Sequence, residues 1–129
     1  MLLKPHPILE GRNAAEKIQK VVIFTGQSLK GPAEAHVLLE LSSSAMETIP
    51  DSIWKADGNT FTRFQGPLPI TGKNMGLAMN FGKGRAVILG EAACFTAQID
   101  KTGKFGMNVP GNDNRQFALN IMHWLSGLF

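Results

Sequence analysis

The segment from Asn112 to Leu128 constrains this chain more than any other. Phe117, Ala118, Ile121, Met122, Trp124, Leu125 and Leu128 recur at three- and four-residue spacings, the mark of a helix with one apolar face. Asn112 or Asp113 is placed to cap it and Gly127 to end it. On the opposite side Gln116, Asn120 and His123 form a narrow polar stripe. Solvent is its expected neighbour. If two copies meet through this helix, the stripe becomes a hydrogen-bonded interface seam instead.

An apolar helix face needs a layer to lie on, and the rest of the chain reads mainly as strand. Lys20-Val21-Val22-Ile23-Phe24-Thr25 is β-branched and aromatic and stops at Gly26, which predicts a first strand. Ala35 to Leu41 follows a Lys30-Gly31-Pro32 turn and is read as a second, although Ala33 to Leu41 also has the length of a helix. Met75 to Phe81 and Arg85 to Leu89 flank Gly82-Lys83-Gly84 and predict a β-hairpin, its second strand covered on both faces. The prolines of Lys4-Pro5-His6-Pro7-Ile8 predict an extended opening loop. Asn13 and Glu16 have the spacing of a reciprocal cap over one or two turns at residues 13 to 18. Ala92 to Gln98 suits a short helix, and Asp100 to Lys104 a polar turn. Residues 42 to 72 contain Ser42-Ser43-Ser44, Pro50, Asp57-Gly58-Asn59, Gly66-Pro67, Pro69 and Gly72, and are read as a long loop with one short strand around Phe61 to Phe64. The expected fold class is α/β, one domain over residues 1–129 with a small mixed sheet of about four to six strands and flanking helices.

Composition narrows the functional classes. Thirteen Lys and Arg against ten Asp and Glu give a net charge of +3, and 43% hydrophobic residues with only 14 Gly and 7 Pro exclude disorder and collagen. No apolar run reaches the ~18 residues of a membrane span, and the prolines near the start interrupt any signal-peptide core. A single cysteine forms no internal disulfide, so a reducing cytoplasm is the expected location. The excess charge falls entirely after residue 64, on Lys73, Lys83, Arg85, Lys101, Lys104 and Arg115. These are dispersed, with no interleaved aromatic residues, so nucleic acid is not the expected partner.

Candidate sites are few. Cys94, in Ala92-Ala93-Cys94-Phe95, has the surroundings of a buried thiol, and joins a catalytic set only if the fold brings Glu91 and a histidine to it. His6, His36 and His123 are scattered without metal-ligand spacing, so neither a metal nor a cofactor is expected. Gly82-Lys83-Gly84-Arg85 lacks the spacing and following helix of a phosphate loop and reads as a hairpin turn. Gln27 and Ser28 after the first strand, Glu91 after the fourth, and Asn114 at the helix start are the candidate ligand contacts. In open parallel sheets ligands gather beyond the carboxyl ends of strands, and helix amides face anions. Each of these residues also suits a purely structural role as a turn or cap.

The run Gly82-Lys83-Gly84-Arg85-Ala86-Val87-Ile88-Leu89-Gly90-Glu91, followed by Asn112-Asp113-Asn114-Arg115-Gln116-Phe117-Ala118-Leu119-Asn120-Ile121-Met122-His123-Trp124-Leu125, resembles the end of a class I glutamine amidotransferase-like domain. Its ThuA-like and transport-associated members are the most similar. His6-Pro7-Ile8 with Gly11, and Phe24 with Gly26-Gln27-Ser28-Leu29, are similar to segments from the middle of such domains. The resemblance implies a truncated flavodoxin-like sandwich without its opening βα units. Amidotransferases carry their nucleophile on a tight elbow between small residues; Ala93-Cys94-Phe95-Thr96 departs from that pattern, so the activity does not carry over. A half sandwich leaves a sheet edge or apolar face bare. The expectation is a non-enzymatic binding or assembly module, a homodimer completed by a second copy, with another protein or a small polar ligand as further partners. The competing expectation is a small hydrolase or carbohydrate-processing enzyme using Glu91 and a histidine at a dimer interface.

Overall fold

The computed structural model describes residues 1–70, 73–101 and 103–129; Thr71, Gly72 and Thr102, from the predicted loop and polar turn, lie outside the described residues. In chain order the elements are β1 (Leu2–Leu3), α1 (Pro7–Glu10), a 3-10 turn (Ala14–Glu16), β2 (His36–Glu40), β3 (Met46–Ala56), β4 (Asn59–Pro69), β5 (Asn74–Phe81), β6 (Gly84–Leu89), a second 3-10 turn (Ala93–Phe95), β7 (Ala97–Asp100), β8 (Gly103–Gly106) and α2 (Asn114–Leu125). A four-stranded sheet has the order β1-β2-β5-β6, while β3–β4 and β7–β8 are separate hairpins. The fold is mixed α/β, as the sequence indicates. Among the described residues every strand pairing is antiparallel, however, and they form no parallel strand ends of the kind at which ligand binding was expected.

The core lies between this sheet and the two helices. Ile8 and Leu9 of α1, Leu38 and Leu39 of β2, Met75 and Ala78 of β5, and Phe117, Ile121 and Trp124 of α2 form one buried cluster. Each such large side chain contributes ~1.5–3 kcal/mol on burial. Leu38 and Leu39 are adjacent yet both fully buried. Here β2 is irregular: Val37 pairs with Leu77 but Leu39 with Gly76, so Leu38 is an extra residue in the ladder. Gly76 makes this packing possible, since a Cβ there would sit 3.1 Å from Leu39 Cγ and 3.0 Å from Leu89 Cδ2. Arg85 closes the far end of α2, lying 4.9 Å over the Trp124 ring and donating to the Phe129 carbonyl at 2.9 Å and to that of Trp124.

Strand β2, the β5–β6 hairpin and α2 lie where the sequence places them. Other elements are corrected. The opening prolines do not remain extended, because His6 Nδ1 accepts the Ile8 N–H and starts α1, with Pro7 at its first turn. Asn13 does cap a turn, accepting from Ala15, but Glu16 turns to the Arg12 side chain and N–H instead of completing a reciprocal box. Residues 92 to 98 give only the turn at Ala93–Phe95 before β7 begins. Strand β6 is an edge, with Ile88 exposed, and is not covered on both faces. On α2 the buried face is rotated from the expected one: Met122, Leu125 and Leu128 are exposed, while Asn114 and Asn120 are fully buried.

The two largest departures concern residues 20–25 and 42–72. The first of these, predicted as a strand, has no strand partner among the described residues. The second, predicted as a loop with a strand at Phe61 to Phe64, contains the two longest strands of the fold, joined at Asp57-Gly58. Gly58 has φ +75° and Asp57 φ +50°, both left-handed, as the favoured two-residue hairpin turn requires.

Candidate functional site

Segment 19–25 stays in place because side chains substitute for a neighbouring strand. Asp113 Oδ2 accepts the Gln19 and Lys20 N–H groups, both at 2.8 Å, and its own N–H donates to the Lys20 carbonyl. Asn114 Oδ1 accepts from Val22 N–H at 2.9 Å, and its Nδ2 donates to the Val22 and Cys94 carbonyls. Glu91 Oε1 accepts from Phe24 at 2.8 Å and Thr25 at 2.7 Å. These hydrogen bonds run from the end of the β5–β6 hairpin to the start of α2. Asn112, not Asp113, accepts the Asn114 N–H at the helix start. Phe24 packs against Phe105 of β8, ring centroids 4.0 Å apart and planes tilted by 30°. The next residues cross the end of β6, where the Gln27 N–H donates to the Gly90 carbonyl. Only glycine fits at position 90, because a Cβ would lie 1.9 Å from the Gln27 carbonyl oxygen.

The segment so held forms one wall of an open groove of about 870 Å³. Ile23, Phe24, Gln27 and Ser28 face Met46, Ile49, Pro50 and Pro67 at the base of the β3–β4 ribbon, with Met75 and Ile70 between them. The Lys73–Glu47 ion pair, with Nζ 2.8 Å from Oε1, fastens the base of the ribbon to the segment leading into β5.

Beyond that base the ribbon leaves the body of the protein. Every residue from Thr48 to Pro67 is exposed. Its two faces both carry large apolar side chains. Trp54 and Phe61 are paired across the strands and stacked at 5.7 Å on one face. Ile53, 67% exposed, immediately precedes Trp54 and so points to the other, as does Phe64, 56% exposed. Two isolated strands are marginal in water, and an apolar patch on each face adds to the cost of leaving them uncovered.

Of the candidate ligand contacts, the fold brings Gln27 and Ser28 to the groove, while Glu91 and Asn114 are buried and engaged with backbone. Glu91 Oε2 is also buried and has no hydrogen-bond partner among the described residues. Cys94 is buried, and its Sγ lies 3.5 Å from the Glu91 backbone carbonyl, not beside an imidazole. Burial pushes this thiol up to about 11, and the Glu91 carboxylate adds to the rise. That is the opposite of what a nucleophile needs.

The polar stripe on α2 is not a solvated one. Asn120 is fully buried and donates to the Ile8 and Glu16 carbonyls, both at 2.8 Å, while its Oδ1 accepts from Gln116. Asn120 is thereby a seam within the chain, pinning α1 and the following turn to α2, and is not available to a second copy. His123 stacks edge-on against Phe129 at 6.1 Å, and its buried Nδ1 has no partner among the described residues.

The histidines are not all scattered. His6 and His36 come together, ring centroids 5.8 Å apart, beside Trp124 and Arg85 in a cleft of about 390 Å³. No periodic spacing links positions 6 and 36, so this pairing had no local signal. Among the described residues no group of three or more His, Cys, Asp or Glu side chains is placed to hold a metal ion. No helix of the described residues is long and apolar enough to cross a membrane.

No protein-family profile, curated protein sequence or solved structure matches the chain.

Proposed function

We propose that this protein is an assembly module that associates with a second copy through the β3–β4 ribbon, without a catalytic role of its own. The observation that carries this reading is the ribbon's pair of apolar faces, Trp54 with Phe61 on one and Ile53 with Phe64 on the other, on strands exposed along their length. A ribbon with one greasy face needs only to fold back on its own core; one with two is better served by a further strand at its edge, whose side chains flank the apolar residues of both faces. On this reading the bare surface expected of a half sandwich lies on the ribbon and not on a sheet edge of the main body. Kinship with amidotransferase-like domains belongs to the same reading and rests on β6, Gly90, Glu91 and α2. The conversion of Glu91 and Asn114 into backbone clasps, and the high pKa of Cys94, fit a chain whose polar residues hold structure and not substrate.

Size-exclusion chromatography with light scattering tests it on the full chain. The wild type is expected to elute as a dimer at micromolar concentration, and Ile53→Ser/Phe64→Ser as a folded monomer. A wild type that stays monomeric, or a double variant that dimerises as well as the wild type, contradicts the proposal.

A further inference from the structure

We infer that two copies join by pairing the outer edges of their β3 strands, antiparallel, about a two-fold axis through Ile53. This rests on the assembly reading above and specifies its geometry. Among the described residues β3 and β4 pair only with each other, so each strand of the ribbon has one edge without a strand partner there. Ser52 to Ala56 of β3 pair with Arg63 to Asn59 of β4 without a break, so the upper part of β3 is a regular strand able to accept another.

The charges choose between the ways of pairing. β4 carries Arg63 and no acidic residue, so two β4 edges brought together about their middle would set cation near cation. β3 carries Asp51 and Lys55, two positions either side of Ile53. A parallel β3–β3 pairing places Asp51 beside Asp51 and Lys55 beside Lys55. The antiparallel pairing centred on Ile53 places each Asp51 opposite the other copy's Lys55, and the symmetry makes the contact twice. Asp51 is the extra residue of a bulge, lying between the Pro50–Phe64 and Ser52–Arg63 pairs, so it has no cross-strand neighbour in β4. Pro50, which has no N–H to offer a ladder, ends the regular stretch on one side, and the Asp57-Gly58 turn ends it on the other. The register is therefore bounded at both ends.

The product is a four-stranded sheet in the order β4-β3-β3-β4. Ile53, the most exposed large apolar residue of the ribbon, meets its own copy on the axis. Trp54 and Phe61 of both copies then share one face, so that aromatic surface left bare on a two-stranded ribbon becomes continuous with its symmetry mate.

Charge exchange on the full chain tests this directly. Asp51→Lys alone sets Lys against Lys at both contacts, and Lys55→Asp sets Asp against Asp, so each variant is expected to dimerise about tenfold or more weakly than wild type. Mixed in equal amounts the two restore both contacts, and sedimentation velocity should return the wild-type dimer, as a heterodimer. In parallel, Ile53→Cys should oxidise to a covalent dimer, because facing residues of an antiparallel pair fall within the ~4.4–6.8 Å Cα separation of a disulfide. A wild-type dimer that neither single charge variant weakens, or single variants that do not recover on mixing, overturns this register while leaving the assembly reading in place. A monomeric wild type overturns both.

Discussion

The side chain of Asn114 treats Val22 as one β-strand treats its neighbour: Oδ1 takes the Val22 N–H at 2.9 Å and Nδ2 gives to the Val22 carbonyl at 2.7 Å. Nδ2 also reaches the Cys94 carbonyl at 2.9 Å, so a single buried amide joins three parts of the chain. Asn114→Ala leaves those groups without partners, and buried groups so orphaned cost ~1–3 kcal/mol each. Denaturant unfolding should register a loss of about 2–4 kcal/mol for Asn114→Ala. Asn114→Asp keeps the acceptor but loses both donated bonds, so it should also destabilise; equal stability of either variant and wild type would mean that residues 19–25 are held otherwise.

Asn120 invites a parallel experiment with a different readout. Asn120→Leu fills the same space but strips the Ile8 and Glu16 carbonyls of their donor and leaves Gln116 without its acceptor. A loss of about 2 kcal/mol is expected, with the oligomeric state unchanged at equal protein concentration. A change in oligomeric state without loss of stability would instead make Asn120 an interface residue.

These two asparagines explain why the sequence discloses some elements and conceals others. Strand β2, the β5–β6 hairpin and α2 were legible because their apolar spacing and their turn residues, Gly82-Lys83 and Gly127, agree. Residues 20–25 have the composition of a strand, and composition is silent about whether the partner is another backbone or the side chains of Asp113, Asn114 and Glu91. Asn120 occupies a buried position of α2, yet its type argues for the surface; only the arrival of α1 over it supplies the carbonyls that make burial affordable. The ribbon was hidden by its own irregularities. Pro50 sits at a bulge, Gly66-Pro67 at a second break in the ladder, and each reads locally as a loop. The usable signal was Asp57-Gly58, flanked by Ile53-Trp54 and Phe61-Thr62. Gln27 and Ser28 reach the groove for a reason other than the expected one, since what carries them there is the crossing over Gly90 and not the end of a parallel strand.

Acid should weaken the fold in part through His6. Burial, together with the His36 and Arg85 charges, lowers its pKa below 6.5. The unfolded chain therefore takes up a proton at His6 before the folded chain does, and stability falls as the pH drops below that value. His6→Asn keeps a side chain able to cap α1 but does not titrate. Thermal unfolding followed from about pH 7.5 to about pH 5.5 should show a smaller loss for His6→Asn than for wild type. Identical pH profiles would contradict a lowered pKa at His6.

Cys94 should be chemically silent while the chain is folded. Its pKa of about 11 leaves little thiolate near neutral pH, and the thiol is buried. A disulfide-exchange reagent at pH 8 should label it only as fast as the protein opens, and at once in denaturant. Rapid labelling of the native protein would point to an accessible, activated thiol.

Association through the ribbon is most directly read by hydrogen–deuterium exchange over residues 48–67 at two protein concentrations. In dilute solution an isolated ribbon should exchange its amides quickly, because two strands alone protect them weakly. At a concentration where the dimer forms, exchange over Ser52 to Ala56 should slow markedly, while α2 stays equally protected in both. Exchange across the ribbon that is equally fast at every concentration would contradict the account.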